Sequence, residues 1–360
     1  MTEVVPAAAV LHRRLATQRL LADKLDRPAA VVGLLTAVQS QEFGHALWSL
    51  GMRSGGSLAD AQAAFDRGDF VRTHVLRPTW HFALPEDISW LLEVTSSRVH
   101  QLNGTMYRKL GLDPAGLDRA AGVIVDALTG GTALTRTELG QRLGTNGVAL
   151  GYQVAYAEAE ALIVSGPLRG AQHTYVLMDE RVPPERRRTG DLGELAYRFF
   201  AGHGPASVRD LARWASLTQT QAATATEAAA PRLAEVTVTG EPLWFDPAAP
   251  GPPGEVAYGA LLLPLYDELA LSYPTLGFPV APRHPHPAGE DLFVGSVVLG
   301  DKNVGTWRRT IKGRTVRVEV ALAPGMGPAE HEAVASAAGD LAAFLGRELD
   351  LSVGVSPTGA

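Results

Sequence analysis

The 360-residue chain contains no cysteine. The fold therefore has no disulfide bond, and every site that needs a thiolate, as a zinc ligand or as a nucleophile, is excluded. Apolar residues make up 46% of the sequence and charged residues 19%, which is typical of a soluble globular protein. A chain of this length is expected to form two or three domains with a sizeable core.

Long apolar runs are also missing. No stretch reaches the roughly 18 apolar residues that a membrane-spanning helix needs, so no membrane association is expected. The N-terminal MTEVVPAAAVLHRR lacks the basic and long apolar segments of a secretory leader. We therefore expect a cytoplasmic protein, associated with the nucleoid if it acts on DNA.

An excess of positive charge is absent too, because 32 lysines and arginines stand against 38 aspartates and glutamates, for a net charge of −6. Binding to nucleic acid follows the local field rather than the net charge. One segment, 302–317, is strongly basic and contains no acidic residue. A second cluster, Arg186 to Arg188, is flanked by acidic residues, and a solvated surface explains it equally well.

Several common catalytic motifs do not occur. The sequence has no Walker A loop, no G-x-G-x-x-G after a strand and no G-x-S-x-G. His284 and His286 are spaced like a pair of metal ligands, but they lie in a proline-rich stretch without an evident third ligand. We therefore predict neither a metal site nor a cofactor.

The sequence does contain one pattern of elements that occurs three times. In the first copy, helical stretches at 10–24 and 27–39 and a short helix after Ser57 precede two strand-like stretches, 72–76 and 79–84. Helices followed by a pair of strands are typical of a winged helix.

The second and third copies each begin with a predicted capping box. Thr135 is followed three residues later by Glu138, and Ser207 is followed at the same spacing by Asp210. A further helix and a strand-rich wing follow each box, which makes the repeat the main architectural indication.

The C-terminal part has a different pattern. Residues 294–320 alternate between apolar and polar side chains, with two tight turns, and predict a three-stranded meander before a closing helix at 327–349. We therefore predict a mainly α protein with small β-sheets (α+β), built from three tandem winged helices and a C-terminal β-meander. The predicted domains are 1–115, 116–188, 189–275 and 276–360.

The helices that would enter a DNA groove carry little positive charge. The second copy has Glu158 and Glu160 there, and the third has Gln219 and Gln221 but no cation before Arg232. Such helices are poorly suited to a site between phosphates. Either the repeats form a scaffold, or DNA is bound by another surface.

Six stretches in a fixed order carry a resemblance to a known family. They are VQSQ with ALWSLGMR, RTHVLRPTWHFALPED, SGPLRGAQHTYVLMDERVP, FFAGHGPASVRDLARW, LLLPLYDEL and VGTWRR. With them the chain resembles the AlkZ-like bacterial winged-helix DNA glycosylases, which remove alkylated or crosslinked purines. The resemblance implies three winged helices in a C shape around a DNA channel, with a β-hairpin near the C-terminus that probes the duplex.

The catalytic signature of that family, Gln-x-Gln, matches Gln39 and Gln41. A related branch has an acid at the second position. Three positions depart from the family pattern: Ser40 replaces an apolar residue, Pro78 replaces a glycine, and Leu269 replaces an aromatic residue after Tyr-Asp-Glu. These departures bear on substrate choice more than on the fold.

Two glutamines suit one kind of N-glycosidic bond. Ordinary purines leave poorly unless they are protonated, whereas a purine alkylated at N7 or N3 is already cationic and leaves as a neutral base. Its release needs mainly a positioned water. An amide can accept a hydrogen bond from water and donate another without a buried charge. We expect Gln41 to position the water and Gln39 to contact the sugar or orient Gln41.

The spacing of the two glutamines sets a geometric condition. Residues two apart point about 200° apart on an α-helix but to the same side of an extended segment. If both act on one substrate, the helix predicted for 27–39 must end at about Gln39, with Ser40 as the interruption. In the alternative, one glutamine caps the helix and the other faces solvent.

Further site residues are suggested with less support from the residues alone. His81, Thr79, Asp267 and Glu268 are candidates for the active site or channel, although a core position explains His81 equally well and a structural loop explains the two acids. Trp307 fits the core better than a wedge between bases. The predicted DNA contacts are Arg53, Lys302, Arg308, Arg309, Lys312 and Arg314.

Three functions therefore stand beside one another. The first is a monofunctional DNA glycosylase for cationic alkylpurines, possible crosslinks included, which acts as a monomer on damaged double-stranded DNA. The second is a non-catalytic winged-helix protein that binds, shields or senses DNA. The third, suggested by the net negative charge, is a scaffold that binds no nucleic acid.

Overall fold

The computed structural model describes residues 3–4, 6–251, 259–273 and 294–355, and the predicted α+β class is confirmed. The helices are α1 (Ala7–Thr17), α2 (Pro28–Leu35), α3 (Phe43–Ser54), α4 (Leu58–Arg67), α5 (Ile88–Lys109), α6 (Pro114–Leu128), α7 (Arg136–Leu143), α8 (Gly147–Ala159), α9 (Met178–Arg181), α10 (Leu192–His203), α11 (Val208–Trp214), α12 (Gln219–Ala229), α13 (Glu268–Leu271) and α14 (Pro328–Leu345). Within these ranges, no helix has the length and apolar character to cross a membrane.

The strands are short except near the C-terminus. They are β1 (Glu3–Val4), β2 (Ala37–Gln39), β3 (Val71–His74), β4 (Trp80–Ala83), β5 (Leu134–Thr135), β6 (Ile163–Ser165), β7 (Thr174–Leu177), β8 (Ala234–Val238), β9 (Glu241–Phe245), β10 (Ala260–Leu263), β11 (Gly295–Leu299), β12 (Lys302–Lys312), β13 (Thr315–Leu322) and β14 (Glu348–Val355).

The first repeated unit runs from α2 to β4. Its order is helix, strand, two helices and two strands, and its sheet has the order β2-β4-β3. Ser57 and Asp60 form a capping box at the start of α4, and Gly68 ends this helix with a left-handed φ of 82°. Strand β2 departs from the prediction, which continues the preceding helix through Gln39. The observed order is that of a winged helix.

The same order returns in the next two units. The second runs from α6 to β7, with sheet order β5-β7-β6. In the third, from α10 to β9, a single bridge between Ala206 and Trp244 takes the place of the first strand. The predicted capping boxes at Thr135 and Ser207 are both present. The domain limits near residues 115 and 188 fall beside these units and stay predictions.

Helix α8, which has the position of a DNA-reading helix in the second unit, faces inward. Glu158 on α8 is fully buried. Its carboxylate binds Nδ1 of His74 and accepts a hydrogen bond from Nε1 of Trp80 at 3.3 Å. Because both partners belong to the first unit, this helix connects two units instead of presenting its acidic residue to DNA.

The C-terminal part forms a five-stranded sheet in the order β10-β11-β12-β13-β14. The predicted meander is confirmed as β11, β12 and β13. The closing helix ends earlier than predicted because Gly346 adopts a left-handed φ of 61°, and β14 then pairs in parallel with β13. Trp307 is 1% exposed and its Nε1 donates to the carbonyl of Leu263 at 2.8 Å, which confirms its core position.

A buried ion pair connects the first unit to this sheet. Asp267 lies just beyond β10, and each of its carboxylate oxygens accepts a hydrogen bond from Arg53 of α3 at 2.9 Å. Ser49 donates to the same carboxylate at 2.7 Å, and Arg53 donates to Oε1 of Gln18 at 2.9 Å. The side chains of both charged residues have no solvent exposure. Two parallel bonds and further partners offset the cost of removing these charges from water.

This pairing contradicts the prediction that Arg53 contacts DNA. Its guanidinium is enclosed by protein and its charge is already matched by a carboxylate. The sequence signal for a buried pair was present, because Arg53 follows the apolar ALWSLGM and lies one helical turn after Ser49.

Replacing Asp267 with asparagine should lower the free energy of unfolding by about 3–5 kcal/mol, because the buried charge of Arg53 loses its partner. Urea denaturation measures the loss. As a matched control, Asp69→Asn disrupts the pair with Arg67, whose side chains are 62% (Arg67) and 37% (Asp69) exposed. The control should cost less than about 1 kcal/mol, and equal effects of the two substitutions would contradict the assignment.

Candidate active site

The Gln-Ser-Gln segment lies in extended backbone between α2 and α3. Helix α2 ends at Leu35, and Thr36 then adopts a φ of 66°, which a β-branched residue rarely does. The prediction that the helix ends at Gln39 with Ser40 as the interruption is therefore wrong, because the break comes at Thr36. The required outcome is nevertheless met, since the two glutamines do not lie on one helix.

Burial alternates along the segment. Val38 and Ser40 are completely buried, whereas Gln39 and Gln41 are both partly exposed. This period of two is the pattern of a strand with one face toward the core. Both glutamine side chains are therefore more accessible than Val38 and Ser40.

Gln39 is held at both its main chain and its side chain. Its backbone N–H donates to Oε1 of Glu268 at 2.8 Å, and its Oε1 accepts a hydrogen bond from Nη2 of Arg77 at 3.0 Å. It also pairs across the sheet with His81. These contacts orient the amide oxygen toward Arg77 and leave its NH₂ group available as a donor.

Arg77 is a site residue that the sequence interpretation missed. Its Nη2 also donates to Nε2 of His81 at 2.9 Å, and its Nη1 donates to the carbonyl of Trp214 at 2.9 Å. One guanidinium thus connects the glutamine, the histidine and the third unit. The available signal was its position four residues before His81 in LRPTWH, within a stretch of otherwise strand-forming residues.

His81 is neutral. Its Nδ1 lies 2.9 Å from the carbonyl oxygen of Thr79, an acceptor, so the proton is on Nδ1 and Nε2 accepts from Arg77. Burial and the adjacent charge of Arg77 lower the pKa of His81 to about 3. The structure therefore places His81 next to Gln39, with its Nε2 as an acceptor and not as a proton donor, while Thr79 contacts the histidine through its carbonyl oxygen.

Glu268 lies directly behind Gln39 and is completely buried. Its other oxygen accepts hydrogen bonds from Nε1 of Trp214 at 2.9 Å and from Oγ of Ser272 at 3.3 Å, and Nε2 of His203 lies 3.7 Å away. Burial alone would raise the pKa of the Glu268 carboxyl, but the contacts with His203, the charge of Arg77 and the N–H of Gln39 outweigh it and lower the pKa to about 2. Glu268 is thus a buried anion that fixes the backbone of Gln39.

The two predicted acids therefore have different surroundings. Asp267 is used entirely by Arg53, Ser49 and the start of α13, where it accepts from the N–H of Leu269 at 3.0 Å. It does not reach the glutamine segment, so its predicted place in the active site is not supported by the contacts. Glu268 reaches that segment through the main chain only.

Gln41 faces a cleft between the first and second units. The cleft has a volume of about 410 Å³ and is also lined by Arg72, Trp80, His173 and Tyr175. Sequence interpretation did not select any of these four residues, although all of them lie within the stretches that carry the family resemblance.

The residues of the C-terminal sheet that were predicted to contact DNA differ in solvent exposure and in their ion pairs. Lys302, Lys312 and Arg314 are exposed, the last two at the turn between β12 and β13. Arg308 instead forms two hydrogen bonds with Glu319, at 2.9 and 3.0 Å. The exposed end of this hairpin also carries an apolar side chain, Ile311, which is 46% exposed.

Arg309 lies against the start of α3 rather than in open solvent. Its Nη2 lies 3.0 Å from the position that a Cβ would occupy on Gly44. Burial lowers the pKa of Arg309 to about 10, and burial together with the charge of Arg309 lowers the pKa of His45 to about 4. The glycine thus permits a close approach of this arginine to the segment that follows Gln41.

No metal site competes with this arrangement in the described part of the chain. His, Asp and Glu side chains do not gather there in groups of three or more that could hold an ion. His284 and His286 lie outside the described residues.

Comparison with known proteins gives two findings. Residues 32–344 match the family described as DNA glycosylase AlkZ-like. Among solved structures, the chain is similar to Streptomyces sahachiroi DNA glycosylase AlkZ, with a TM-score of 0.75 and 21% identity over 97% of this chain and 99% of that one. At this identity the structural similarity supports the fold alone. No curated protein matches the chain.

The depressed pKa of Glu268 predicts an acid-dependent loss of stability. Because its folded pKa of about 2 lies below the ordinary value of 4.5, the carboxylate stabilises the fold above the ordinary value, and this contribution is lost as the pH falls toward 2. Urea midpoints measured from neutral to acidic pH should therefore fall less steeply in Glu268→Gln. Glu227→Gln, at an exposed position of α12, should keep the wild-type slope. A Glu268→Gln slope equal to that of wild type would contradict this assignment.

Proposed function

The chain belongs to the AlkZ-like family of DNA glycosylases, and from this premise we propose that it hydrolyses the N-glycosidic bond of purines made cationic by alkylation at N7 or N3. The family establishes a DNA glycosylase that acts on DNA. The choice of lesion, the processing of crosslinks and the roles of Gln39 and Gln41 belong to the proposal.

The observation that carries the proposal is the charge state of the groups around Gln39. Among its contacts in the described chain, Glu268 has a pKa of about 2 and His81 a pKa of about 3, while Arg77 stays charged. No neighbour of this set is poised to donate a proton at neutral pH. A leaving group that arrives already cationic removes the need for one.

The proposed reaction then needs only water and orientation. The C1′–N bond breaks, its electron pair neutralises the departing base, and the oxygen of water bonds to C1′ while its proton passes to solvent. The Gln41 carbonyl accepts a hydrogen bond from this water and directs its oxygen toward C1′. A neutral amide is sufficient because the base leaves with its own charge.

Gln39 is assigned to orientation. Since Arg77 binds its amide oxygen, its NH₂ group remains available to donate to Gln41 or to the sugar. The opposite charges of Arg77 and Glu268 balance one another behind it, so that the site itself stays neutral.

The surface that meets DNA is proposed to include the exposed end of the β12–β13 hairpin. Lys312 and Arg314 carry positive charge into solvent there, and Lys302 does so at the opposite end of β12. Phosphate contacts of this kind position a protein on the duplex. We expect a single chain to bind damaged double-stranded DNA, with affinity that falls as salt concentration rises.

Gln39→Ala and Gln41→Ala should each reduce release of N7-methylguanine by about 10²-fold or more, because water and sugar lose their orientation. A duplex that contains N7-methylguanine is incubated with protein, and alkaline strand cleavage reports excision. Duplex affinity should change little. Gln101→Ala, at an exposed position of α5, is the matched control. Retained excision by both single variants would exclude the pair, and a wild-type protein that binds without excision would favour the non-catalytic alternative.

The rate of excision should be nearly independent of pH between about pH 5 and 8. His81 and His173 have pKa values of about 3 and 4, so both are already neutral at the lower limit and neither changes charge in this range. Single-turnover rates on the same duplex, buffered at constant ionic strength, provide the measurement. A sigmoidal or bell-shaped profile with a midpoint between about pH 6 and 7 would instead indicate a titrating catalytic group.

A further inference from the structure

The cleft beside Gln41 contains Arg72, whose side chain is fixed in position but uses only part of its hydrogen-bonding capacity within the protein. Arg72 is 6% exposed. Its Nε donates to the carbonyl of Ser40 at 3.1 Å, and its guanidinium lies 4.2 Å from the ring centre of Trp80. Its two terminal nitrogens have no hydrogen-bond partner among the described residues. Because an arginine fork has five N–H donors, most of this donor capacity remains for a ligand in the cleft.

The other residues that line the cleft also favour a negatively charged ligand. Arg136 adds a second guanidinium at the rim, where its Nη2 donates to the carbonyl of Gly147 at 2.6 Å. The first turn of α7, with Thr137, also faces the cleft, and helix N-termini favour anions. His173 has a buried Nδ1 without a hydrogen-bond partner in the described chain.

Carboxylates near the cleft are engaged elsewhere or lie outside its lining. Glu138 in the first turn of α7 accepts from Thr135 and from Arg169. Glu42 and Glu158 act on Arg72 through space but do not line the cleft, and Glu158 is bound to His74. Of the described residues, the lining contains two arginines and no acid.

We propose that this cleft binds a phosphate of the damaged strand next to the lesion, with Arg72 and Arg136 as its ligands. The inference rests on the proposed function, which supplies DNA as the substrate. Arg72 is bonded to Ser40, the residue between the two glutamines, so a phosphate on Arg72 is held one residue from Gln41. The strand is thereby placed with its sugar toward the water that Gln41 positions, and planar bidentate contacts fix this placement.

Single neutral phosphates test the proposal. Duplexes carry a tetrahydrofuran abasic analogue, which cannot be excised, and one methylphosphonate placed in turn at each phosphate of the same strand. In wild-type protein, one or two positions beside the analogue should weaken binding roughly tenfold. In Arg136→Gln the same positions should weaken binding clearly less than in wild type, since one of the two phosphate contacts is already lost, and the salt slope should fall by about one.

A buried arginine and an exposed arginine are both substituted, so that the test does not depend on whether one variant folds. Arg72→Gln should show the same loss of coupling, and Arg72→Lys should restore it only in part, because lysine lacks the fork. If either buried variant fails to fold, the exposed Arg136→Gln still decides. Arg142→Gln, which removes the same charge from an exposed position of the same helix, should keep the wild-type pattern.

The outcomes separate this site from the proposed reaction. A wild-type protein that excises N7-methylguanine but shows equal methylphosphonate effects in wild type and Arg136→Gln would overturn the phosphate site alone. A wild-type protein that shows the coupled position but releases no N7-methylguanine would support the site and contradict the proposed reaction.

Discussion

Asp267 and Glu268 are adjacent and buried, and the arrangement of the molecule depends on which groups bind their carboxylates. Asp267 receives the guanidinium of Arg53 from the first unit. Glu268 receives the backbone N–H of Gln39 and the indole of Trp214 in the third unit. Since buried carboxylates are costly without such partners, the loop that carries them holds the first unit, the third unit and the C-terminal sheet in one fixed relation.

The contacts of Glu268 also determine the geometry and the charge of the candidate site. The backbone N–H of Gln39 donates to Glu268, and the chain is extended at this residue, shortly after the sharp turn at Thr36. Arg77 then neutralises the buried carboxylate and orients the amide of Gln39 in the same step. The charges of Glu268 and Arg77 thus lie behind Gln39, and the glutamine segment itself presents neutral amides.

The repeated order of helices and strands could be predicted from the sequence because local signals such as the capping box of Thr135 mark it. The C-terminal meander could be predicted because its strands alternate between apolar and polar residues. The Gln-x-Gln pair could likewise be selected by resemblance. The end of α2 could not, because a β-branched residue such as Thr36 rarely adopts a positive φ and nothing in the local sequence marks the break there. The burial of Arg53 and the role of Arg77 depend on partners about 200 and about 40 residues away, which local patterns do not reveal.

The hydrogen bond that Glu268 accepts from residue 39 comes from the backbone N–H of that residue and not from its side chain. Ser40, likewise, is held through its own N–H and carbonyl, by Trp80 and Arg72. At Ser40 the framework therefore recognises the path of the chain, whereas at Gln39 it also binds the side chain, through Arg77. Position 41 is thus freer than position 39 to change during evolution without a penalty in folding, so that one scaffold can support descendants with different chemistry there.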